Sequence, residues 1–358
     1  MSIRDEVRHA PGYRFSAHPY RVKLDQNEAP DDLPRDVRAR ALAKIEARSW
    51  NRYPSLHGHS VARALAARDG WDPDGVVVAN GSNVLIQGAI LAAGLGRRVA
   101  TASPTFAVYG DQARVLGVPV HEVPLRTQDF GLDVAAFRAV LADGPGALFL
   151  ADPAAPTGNR LADDDVGAVL DAASEHDWTA FVDEAYAPFD GRDRLDLVRG
   201  RHERVSLRTL SKAEGLAGAR LGYALCSPDT ARQLEKVLLP FRLSALQVAV
   251  AEAVLEAGAE ARDARIRHVV RERERIRSAL AELGDVHPFP SDTNFVTFRV
   301  DDPAAVHRRL LEQGILIRRQ DHLPGLAGCL RVTMGRSDEN DAFLQALPHA
   351  LVGETVHG

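Results

Sequence analysis

The chain of 358 residues has very few lysines and only two cysteines. Of its 44 lysine and arginine residues just four are lysine, and Cys226 and Cys329 lie far apart in sequence. That spacing is not typical of a metal site and favours a reduced, cytoplasmic compartment. The chain also lacks an apolar run long enough to span a bilayer, and its first residues lack an apolar signal core. We therefore expect a cytoplasmic protein without a membrane segment.

The chain has no excess of positive charge either. The formal net charge is −5, which argues against a nucleic-acid-binding protein. Hydrophobic residues make up 45% and charged residues 26%, as in soluble globular proteins with a sizeable core. The length predicts two domains, or one large α/β unit with an appendage.

Short apolar strands alternate with helical stretches along most of the chain. The predicted strands are Val76–Asn80, Val99–Ser103, Val118–Pro124, Ala147–Ala151, Thr179–Asp183, Arg204–Thr209 and Gly222–Ser227. The helices between them are predicted at about 60–69, 83–95, 106–116, 133–142, 162–176 and 228–238. This alternation favours an α/β fold with a largely parallel, doubly wound sheet, in which ligands bind beyond the carboxyl ends of the strands.

The flanking segments predict a second, smaller unit. We expect a large domain over residues 48–262, with residues 1–47 and 263–358 forming an N-terminal arm and a small C-terminal α+β domain. Residues 1–33 are polar and proline-punctuated and predict an irregular arm, followed by a helix at 34–48. Residues 261–284 have apolar positions at helical spacing, and their alternating glutamates favour a solvated helix over a nucleic-acid-binding face. Strands at Phe295–Phe298, Ile315–Arg318 and Leu330–Thr333 and helices at 303–313 and 338–351 are predicted beyond it.

One of the rare lysines, Lys212, follows a predicted strand in the sequence RTLSKAEGLAGARLGY. Three glycines come after it, which allow a close approach of the backbone to another group, and Arg220 stands eight positions on. Lysine can lose its proton when it is desolvated, whereas arginine cannot serve as an amine nucleophile. The pattern indicates an amine that bonds a carbonyl cofactor carrying a phosphate. An ordinary surface cation is the alternative on the lysine alone.

A carboxylate and a tyrosine follow a neighbouring strand in VDEAYAPF. Asp183 ends an apolar strand, so its side chain should be partly buried and should need a partner. A protonated pyridine nitrogen is a suitable partner, and the pairing keeps such a ring electron-withdrawing. Tyr186 is close enough in sequence to reach a phenolic oxygen of the same ring. A helix cap at Asp183 and a core tyrosine at Tyr186 are the structural alternatives.

Two loops after strands have the composition of a ligand site. Asn80–Asn83, NGSN, lies between a strand and a helix, so its backbone N–H groups and the helix dipole form a phosphate seat. Ser211 and Arg220 would complete the phosphate cage, with Arg220 able to make a bidentate contact. The segment Asp152–Gly158 contains prolines and a glycine that fix a rigid loop.

These segments together resemble the pyridoxal-phosphate-dependent aminotransferases of the class I/II superfamily, and among them the chain is most similar to histidinol-phosphate aminotransferases. The resemblance runs from KLDQNEAP at Lys23 to RVTMG at Arg331, and SLRTLSKAEGLAGARLGY is highly specific to that family. NRYP, PTFAVY, VDEAY and SDTNFV appear in the expected order. The resemblance implies the fold-type I architecture, with a seven-stranded, mostly parallel sheet.

The resemblance also implies roles toward pyridoxal 5'-phosphate. Lys212 would form the internal aldimine and shuttle the proton, Asp183 would pair with the pyridine nitrogen, and Tyr186 would donate to the phenolate oxygen. The other expected cofactor contacts are Gly81, Ser82, Asn83, Ser211 and Arg220, and an aromatic ring from PTFAVY, for which we favour Phe106 over Tyr109. Tyr53 of NRYP would reach the phosphate in the neighbouring subunit, so a homodimer with shared sites is implied.

Substrate contacts are implied at both ends of the chain. Arg318 and Arg331 would bind the anionic end of the amino acid and 2-oxo acid substrates, and Asn27 would lie beside them. Tyr13 stands where a family tyrosine contacts substrate phosphate, and an exposed arm residue is the alternative. The implied reaction is a ping-pong transfer from glutamate to a 2-oxoalkyl phosphate in histidine biosynthesis. The rivals are an aminotransferase for aromatic or other amino acids, a decarboxylase of a phosphorylated amino acid, and a cofactor-binding regulator without turnover.

Four positions depart from the family pattern or invite another interpretation. Ala155 stands where the family usually has an asparagine that donates to the phenolic oxygen, which would leave Tyr186 as the main partner and raise the pKa of the aldimine. Glu214 stands where an apolar or aromatic residue is common, and we expect a solvated side chain there. His57 and His59 lack acidic or cysteine neighbours, so a metal site is not favoured.

Overall fold

The computed structural model describes residues 3–10, 12 and 18–352, and a large central sheet dominates it. In chain order the strands are β1 Val22–Lys23, β2 Val76–Ala79, β3 Val99–Ser103, β4 Val120–Pro124, β5 Ala147–Ala151, β6 Thr179–Asp183, β7 Arg204–Thr209, β8 Gly222–Leu225, β9 His287–Pro288, β10 Phe295–Arg299, β11 Ile315–Leu316, β12 Arg318–Arg319 and β13 Cys329–Thr333. Each of the seven strands predicted before residue 230 is present, with ends that differ by at most two residues.

The central sheet has seven strands in the order β2-β8-β7-β6-β5-β3-β4. All neighbouring pairs are parallel except those of β8, which runs antiparallel to β2 and β7. This arrangement confirms the α/β fold class with a mostly parallel sheet. Since β2 and β7 both run opposite to β8, their carboxyl ends lie at the same edge as those of β6, β5 and β3.

Helices surround the sheet and extend beyond it. They are α1 Asp5–His9, α2 Arg35–Glu46, α3 His59–Asp69, α4 Ser82–Ala89, α5 Val108–Val115, α6 Val134–Leu141, α7 Asp163–Glu175, α8 Ala187–Asp190, α9 Leu195–Val198, α10 Pro228–Val237, α11 Ala245–Glu256, α12 Glu260–Ala281, α13 Pro303–Glu312 and α14 Ser337–Val352. Asp133, Ser227, Ser244 and Asp302 cap α6, α10, α11 and α13 with their side chains, which satisfies backbone N–H groups of the first turns. No helix of the described residues is long and apolar enough to cross a membrane.

Both faces of the central sheet are buried. In β5, Leu148 and Leu150 point into one apolar cluster with α6 and α7, while Ala147 and Phe149 point into another with α4 and α5. Successive side chains of a strand alternate between the two faces, so a strand covered by helices on both sides is apolar throughout. The sheet therefore has only its strand ends available for a polar site.

A second sheet lies in the C-terminal part. It has four antiparallel strands in the order β12-β13-β10-β9, and its core includes Phe298, Leu330 and Phe343. The expectation of a wholly irregular N-terminal arm is wrong, because α1 is helical and β1 pairs in parallel with β11. This short pairing joins segments almost three hundred positions apart, which local sequence patterns do not reveal.

Helix α12 is present as predicted, but it is not simply solvated. Three of its charged side chains, Arg265, Glu272 and Arg273, are buried. Helix α11, which the sequence did not indicate, packs against α2 and forms the ion pair Lys44–Glu256 with it and the ion pair Arg48–Glu252 with the segment that follows α2. The domain boundaries at residues 48 and 262 stay a prediction.

Candidate functional site

The polar residues that follow the strands meet at one edge of the central sheet. Asp183 is the last residue of β6, Ser211 and Lys212 come shortly after β7, and Gly81 and Ser82 follow β2. The carboxyl ends of these strands share an edge, so their loops are brought together although Gly81 and Lys212 are 131 positions apart in sequence. The structure thus gathers residues that the sequence could only place separately.

The amine of Lys212 lies in a half-buried position at the centre of this edge. Its Nζ donates a hydrogen bond to the backbone oxygen of Gln26 at 3.1 Å and lies 5.8 Å from the ring centre of Tyr186. Burial, and after it the positive charge of Arg331, lower the pKa of Lys212 to about 7. A large fraction of this amine is therefore uncharged near neutral pH, as a nucleophilic or proton-accepting lysine requires.

The carboxylate of Asp183 is buried, as expected, and is held by two donors. The hydroxyl of Tyr109 donates to Oδ2 at 2.7 Å, and the backbone N–H of Ala185 donates to Oδ1 at 3.1 Å. Burial raises the pKa of Asp183, while the hydrogen bond from Tyr109 opposes that shift. Tyr109 was expected only as an alternative stacking ring, and this contact was not predicted, since two residues 74 positions apart give no local signal.

Tyr186 is held by a buried amide. The side chain of Asn27 donates from Nδ2 to the hydroxyl oxygen of Tyr186 at 2.7 Å, and its Oδ1 accepts from the hydroxyl of Thr333 at 3.0 Å. Because the tyrosine oxygen accepts here, its own proton is available to another acceptor. Burial raises the pKa of Tyr186, which keeps the hydroxyl protonated at neutral pH.

A cradle for an anion lies at the start of α4. Gly81 has a φ of 83°, and a Cβ there would lie 2.8 Å from the guanidinium of Arg220. Gly222 approaches the backbone of Ser82 so closely that a Cβ would clash with it. Helix α4 begins without a side-chain cap, so its first N–H groups remain available beside the arginine. Ser211 is buried next to Lys212 in sequence, and Asn83 is exposed in the first turn of the helix.

Two arginines of the small sheet lie beside one another. Arg318 and Arg331 are register partners on the antiparallel strands β12 and β13, so their side chains are on the same face. Arg331 donates to the backbone oxygen of Asp25 at 2.8 Å, and its guanidinium lies 5.1 Å from the ring centre of Phe295. Like charges placed opposite one another repel, and a bound anion would relieve that repulsion.

The two aromatic candidates of PTFAVY occupy different environments. The ring of Tyr109 is fully buried and stacks on Phe149, with ring centres 5.0 Å apart. Phe106 keeps 38% of its surface exposed and meets Tyr109 edge-on at 5.7 Å. Only Phe106 of this pair has an exposed ring face, which agrees with the preference for it as the stacking residue. That stacking role stays a prediction.

The remaining predicted positions lie at the periphery. Tyr53 is 81% exposed and stacks on Phe241, with ring centres 4.5 Å apart. Tyr13 lies outside the described residues, so its expected substrate contact stays a prediction. His57 pairs with Glu235 at 2.8 Å through Nδ1 rather than facing a cluster of further ligands. Among residues 3–10, 12 and 18–352, no group of three histidine, cysteine or acidic side chains is arranged for a metal ion.

Glu214 differs from expectation. The predicted solvated side chain is wrong, because Glu214 is 5% exposed and its Oε1 accepts from Arg68 at 2.9 Å. Its burial follows from the turn after Lys212, which points this side chain away from the strand ends and towards α3. Ala155 is buried in the loop after β5, and the effect of its missing side-chain donor stays a prediction.

The residues present fit pyridoxal phosphate. The cradle formed by Gly81, Ser82 and Arg220 excludes any side chain at the glycine and offers N–H donors that suit a phosphate. Lys212 offers an amine with a lowered pKa for a carbonyl carbon, and Asp183 offers a buried carboxylate for a ring nitrogen. These three features occur together at one sheet edge.

Comparisons with known proteins agree with this assignment. The model of the family described as aminotransferase class I and II matches residues 21–347. The chain is similar to the histidinol-phosphate aminotransferase of Deinococcus radiodurans, with 42% identity covering 96% of this chain and 95% of that relative. The corresponding enzyme of Thermococcus kodakarensis is 40% identical, with 96% of this chain and 97% of that relative covered.

A solved structure extends the comparison to the fold. The histidinol-phosphate aminotransferase of Sinorhizobium meliloti, crystallised in complex with pyridoxal 5'-phosphate, matches with a TM-score of 0.83 and 27% identity. The match covers 93% of this chain and 91% of that structure. Its architecture is the fold-type I arrangement that the sequence motifs predict. The chain therefore belongs to the class I and II aminotransferase family, whose members are transaminases that depend on pyridoxal phosphate.

Proposed function

We propose that this chain transfers an amino group between histidinol phosphate and 2-oxoglutarate, in histidine biosynthesis. Two relatives at 40% identity or above are named histidinol-phosphate aminotransferases, and each match spans almost the whole of both chains. The physical support is the distribution of positive charge around Lys212. A substrate with its own phosphate, together with a cofactor phosphate, needs two separate anion sites.

The observation that carries the proposal is that two guanidinium groups act on the same amine. Arg220 and Arg331 both lower the pKa of Lys212, so both lie within electrostatic reach of it. Arg220 belongs to the cradle at α4, while Arg331 belongs to the small sheet and stands next to Arg318. We assign the first site to the cofactor phosphate and the arginine pair to the anionic end of the substrates, with Asn27 beside it.

The chemistry at the amine follows from the geometry. When bound, pyridoxal phosphate supplies an electron-withdrawing ring that stabilises negative charge at the substrate's α-carbon. Lys212 anchors the cofactor and then accepts and returns the α-proton, for which a pKa near 7 is well matched. Asp183 would hold the ring nitrogen in its protonated form, and Tyr186 would donate its hydroxyl proton to the ring oxygen. Phe106 would stack on the ring.

We also propose that the enzyme is a homodimer with shared sites. Exposed apolar side chains occur at Trp50 and Tyr53 and again at Leu239 and Phe241, and the stacking of Tyr53 on Phe241 brings these two segments together. An exposed apolar patch of this kind is typical of a protein interface. In the dimer, Tyr53 would contact the cofactor phosphate of the partner subunit. A cytoplasmic location agrees with the two buried free thiols, Cys226 and Cys329.

The substrate assignment is tested by incubating the purified protein, loaded with pyridoxal phosphate, with histidinol phosphate and 2-oxoglutarate. We expect glutamate to form in step with the loss of histidinol phosphate, and none with the Lys212→Ala variant. Faster turnover of phenylalanine or tyrosine than of histidinol phosphate would favour an aminotransferase for aromatic amino acids. Release of carbon dioxide from a phosphorylated amino acid without glutamate formation would favour a decarboxylase.

The shared site is tested by mixing two impaired variants. Lys212→Ala and Tyr53→Ala each damage a different part of one composite site, so a mixed dimer contains one site in which both parts are intact. We expect activity to return after the two proteins are unfolded and refolded together, and not after each is refolded alone. Failure to recover activity although mixed dimers form would contradict the contribution of Tyr53 across the interface.

A further inference from the structure

Two consecutive residues that follow β1 contact the two hydrogen-bonding side chains at the centre of the site. The backbone oxygen of Gln26 accepts a hydrogen bond from the amine of Lys212 at 3.1 Å. The next side chain, that of Asn27, donates from Nδ2 to the hydroxyl oxygen of Tyr186 at 2.7 Å. An asparagine side chain does not ionise, so any effect that Asn27 has on the chemistry must come from its hydrogen bonds.

The direction of the hydrogen bonds around Asn27 is fixed by a backbone donor. The N–H of Asn27 donates to Oγ1 of Thr333 at 3.0 Å, so that oxygen acts as an acceptor there. The hydroxyl proton of Thr333 goes to Oδ1 of Asn27, also at 3.0 Å, which is its one acceptor within the described part of the chain. With the amide turned round, this proton would be left unpaired although Thr333 is buried, which is unfavourable. Oδ1 therefore faces Thr333, and Nδ2 faces Tyr186.

This orientation of the amide determines what the hydroxyl of Tyr186 can do. An amide nitrogen can only donate, so the tyrosine oxygen accepts and its single proton is directed to another group. Tyr186 is partly exposed, and the amine of Lys212 lies 5.8 Å from its ring centre. Burial raises the pKa of Tyr186, the charge of Arg331 and the hydrogen bond from Asn27 oppose that shift, and the charge of Asp183 adds to it. The hydroxyl thus keeps its proton at neutral pH and can donate it.

The backbone of Asn27 is held as firmly as its side chain. Its φ of 55° lies in the left-handed region, which asparagine adopts more readily than most residues. The side chain of Asn294, which is buried, donates from Nδ2 to the backbone oxygen of Asn27 at 3.0 Å. The amide that contacts Tyr186 is therefore fixed by Thr333 on one side and by Asn294 on the other.

We propose that Asn27 is a positioning residue that fixes Tyr186 as a hydrogen-bond donor to the ring oxygen of bound pyridoxal phosphate. The proposal rests on the proposed role of Tyr186 at that oxygen. Both polar atoms of the Asn27 side chain are engaged with protein groups, in contrast to the substrate contact that the family resemblance implies. A donor to the ring oxygen stabilises its anionic form and so lowers the pKa of the bound cofactor. Asn27 acts on that pKa through Tyr186.

The contact itself is measured by NMR on the full chain without cofactor, with the tyrosines labelled with ¹³C at Cζ. The signal of Tyr186 is identified by its absence in Tyr186→Phe. Asn27→Gly removes the side chain and suits the left-handed backbone, and it should shift the signal of Tyr186. The signals of Tyr20 and Tyr53, which are exposed, are the controls and should not move. An unchanged Tyr186 signal would overturn the proposal.

The effect on the cofactor is measured from the absorbance of bound pyridoxal phosphate as a function of pH, without substrate. Asn27→Gly should raise the pKa of the bound cofactor by about 0.5–1 pH unit, because it weakens one neutral hydrogen bond. Tyr186→Phe should raise it at least as much, and adding Asn27→Gly to Tyr186→Phe should cause no further shift. An equal shift with and without the tyrosine hydroxyl would mean that Asn27 acts on the cofactor directly, which would overturn the positioning role.

Reversing the polarity of the amide gives a sharper test with little change of shape. Asn27→Asp offers only acceptors at neutral pH, so Tyr186 would donate to the new carboxylate and not to the ring oxygen. We expect a larger rise in the pKa of the bound cofactor than in Asn27→Gly, and a smaller rise when the same substitution is made in Tyr186→Phe. A rise of the same size in both backgrounds would come from the added charge alone and would count against the proposal.

Two substitutions at Thr333 test the direction of the hydrogen bonds. Thr333→Val retains the shape and removes the hydroxyl, so the amide of Asn27 can turn and the pKa of the bound cofactor should rise. Thr333→Ser retains the hydroxyl and should restore the pKa of the unsubstituted protein. Circular dichroism establishes that each variant is folded, and the variants at Asn27 suffice if Thr333→Val is not. Equal titrations of the valine and serine variants would overturn the assigned direction.

Steady-state kinetics separate positioning from substrate binding. At a pH above the cofactor pKa of both proteins, Asn27→Gly should lower kcat by about threefold to tenfold and leave the KM for histidinol phosphate nearly unchanged. A rise in KM with an unchanged cofactor pKa would mean that Asn27 contacts the substrate, and the proposal would be wrong. If histidinol phosphate is not a substrate, the proposed function fails, but the titrations without substrate still decide the role of Asn27. A cofactor pKa that Tyr186→Phe leaves unchanged would overturn the role of Tyr186 and this proposal with it.

Discussion

Lys212 and the arginines Arg68 and Arg208 are all partly buried cations, yet their pKa values shift in opposite directions. At Lys212 burial and the positive charge of Arg331 lower the pKa to about 7, although the carboxylate of Glu28 acts in the opposite direction. At Arg68 and Arg208 burial also acts to lower the pKa, but the neighbouring anionic groups outweigh it and raise the pKa. The difference lies in the partners and not in the depth of burial.

The arginines belong to a network of buried ion pairs. Arg68 pairs with Asp69 and Glu214 at 2.9 Å each, and Arg208 pairs with Glu184 at 3.1 Å. Such pairs fix the relative positions of the segments that carry them, although their net stabilisation is small once desolvation is counted. Within the described residues, the lysine instead donates only to a backbone oxygen, which leaves the amine available for chemistry. Arg68 and Arg208 are thus structural cations, whereas Lys212 is a reactive one.

The largest effect is expected from removing the reactive cation. The Lys212→Ala variant loses the covalent anchor and the proton-transfer group, so turnover should fall by at least about 10²- to 10⁴-fold. Single-turnover kinetics and the absorbance of bound pyridoxal phosphate measure the two losses separately. Lys236→Ala, on the exposed face of α10, is the matched control and should keep full activity. Comparable losses of turnover in Lys212→Ala and Lys236→Ala would contradict the reactive role of Lys212.

Removing a structural cation should lower the stability of the protein and leave its activity nearly unchanged. The Arg68→Met variant leaves the buried carboxylate of Glu214 without its cation, which should lower the free energy of unfolding by about 3–5 kcal/mol. The kcat of the protein that remains folded should change little. Denaturant unfolding measures the stability, with Arg63→Met as the control because Arg63 is exposed on the same helix α3. A large fall in kcat without loss of stability would mean that Arg68 takes part in the reaction, as Lys212 does.

The sequence predicted the central sheet well, because its strands are short, apolar and bounded by turn residues. All seven are present, and the ends of β6 and β7 place Asp183 and Lys212 where the motifs indicated. Helix α11 was missed, since its sequence ALQVAVAEAVLE is apolar on all sides and gives no helical period. The antiparallel direction of β8 was not predicted either, because strand direction depends on connections and not on local pattern.

The candidate site was predicted less completely than the sheet. The motif residues were found because each follows a strand end, but their partners come from distant segments. The contacts of Tyr109 with Asp183 and of Asn27 with Tyr186 join positions 74 and 159 residues apart. Glu214 was placed in solvent because charged residues are mostly exposed, and only the position of Arg68 explains its burial.

A smaller effect is expected at the buried carboxylate of Asp183. In Tyr109→Phe, Asp183 loses a donor at 2.7 Å whose effect is to lower the pKa of that carboxyl. The pKa of Asp183 should rise, so kcat should fall by about tenfold and its acid limb should move to higher pH. The pH dependence of kcat measures this shift. If Tyr109→Phe reduces kcat further in an Asp183→Asn background by the same factor, the two residues act independently and the positioning role is wrong.

A further effect concerns stability and distinguishes the lysine from the arginines directly. The folded chain without cofactor binds the Lys212 proton with a pKa of about 7, against an ordinary value of 10.5, so between these pH values the unfolded chain holds more protons. Stability should therefore rise with pH across this window, by at most about 1.4 kcal/mol per pH unit. Lys212→Met should lack this rise, whereas Lys236→Met should retain it. Denaturant unfolding between pH 7 and 9 measures the difference in slope. Equal slopes for all three proteins would mean that Lys212 is charged in the folded state like the arginines.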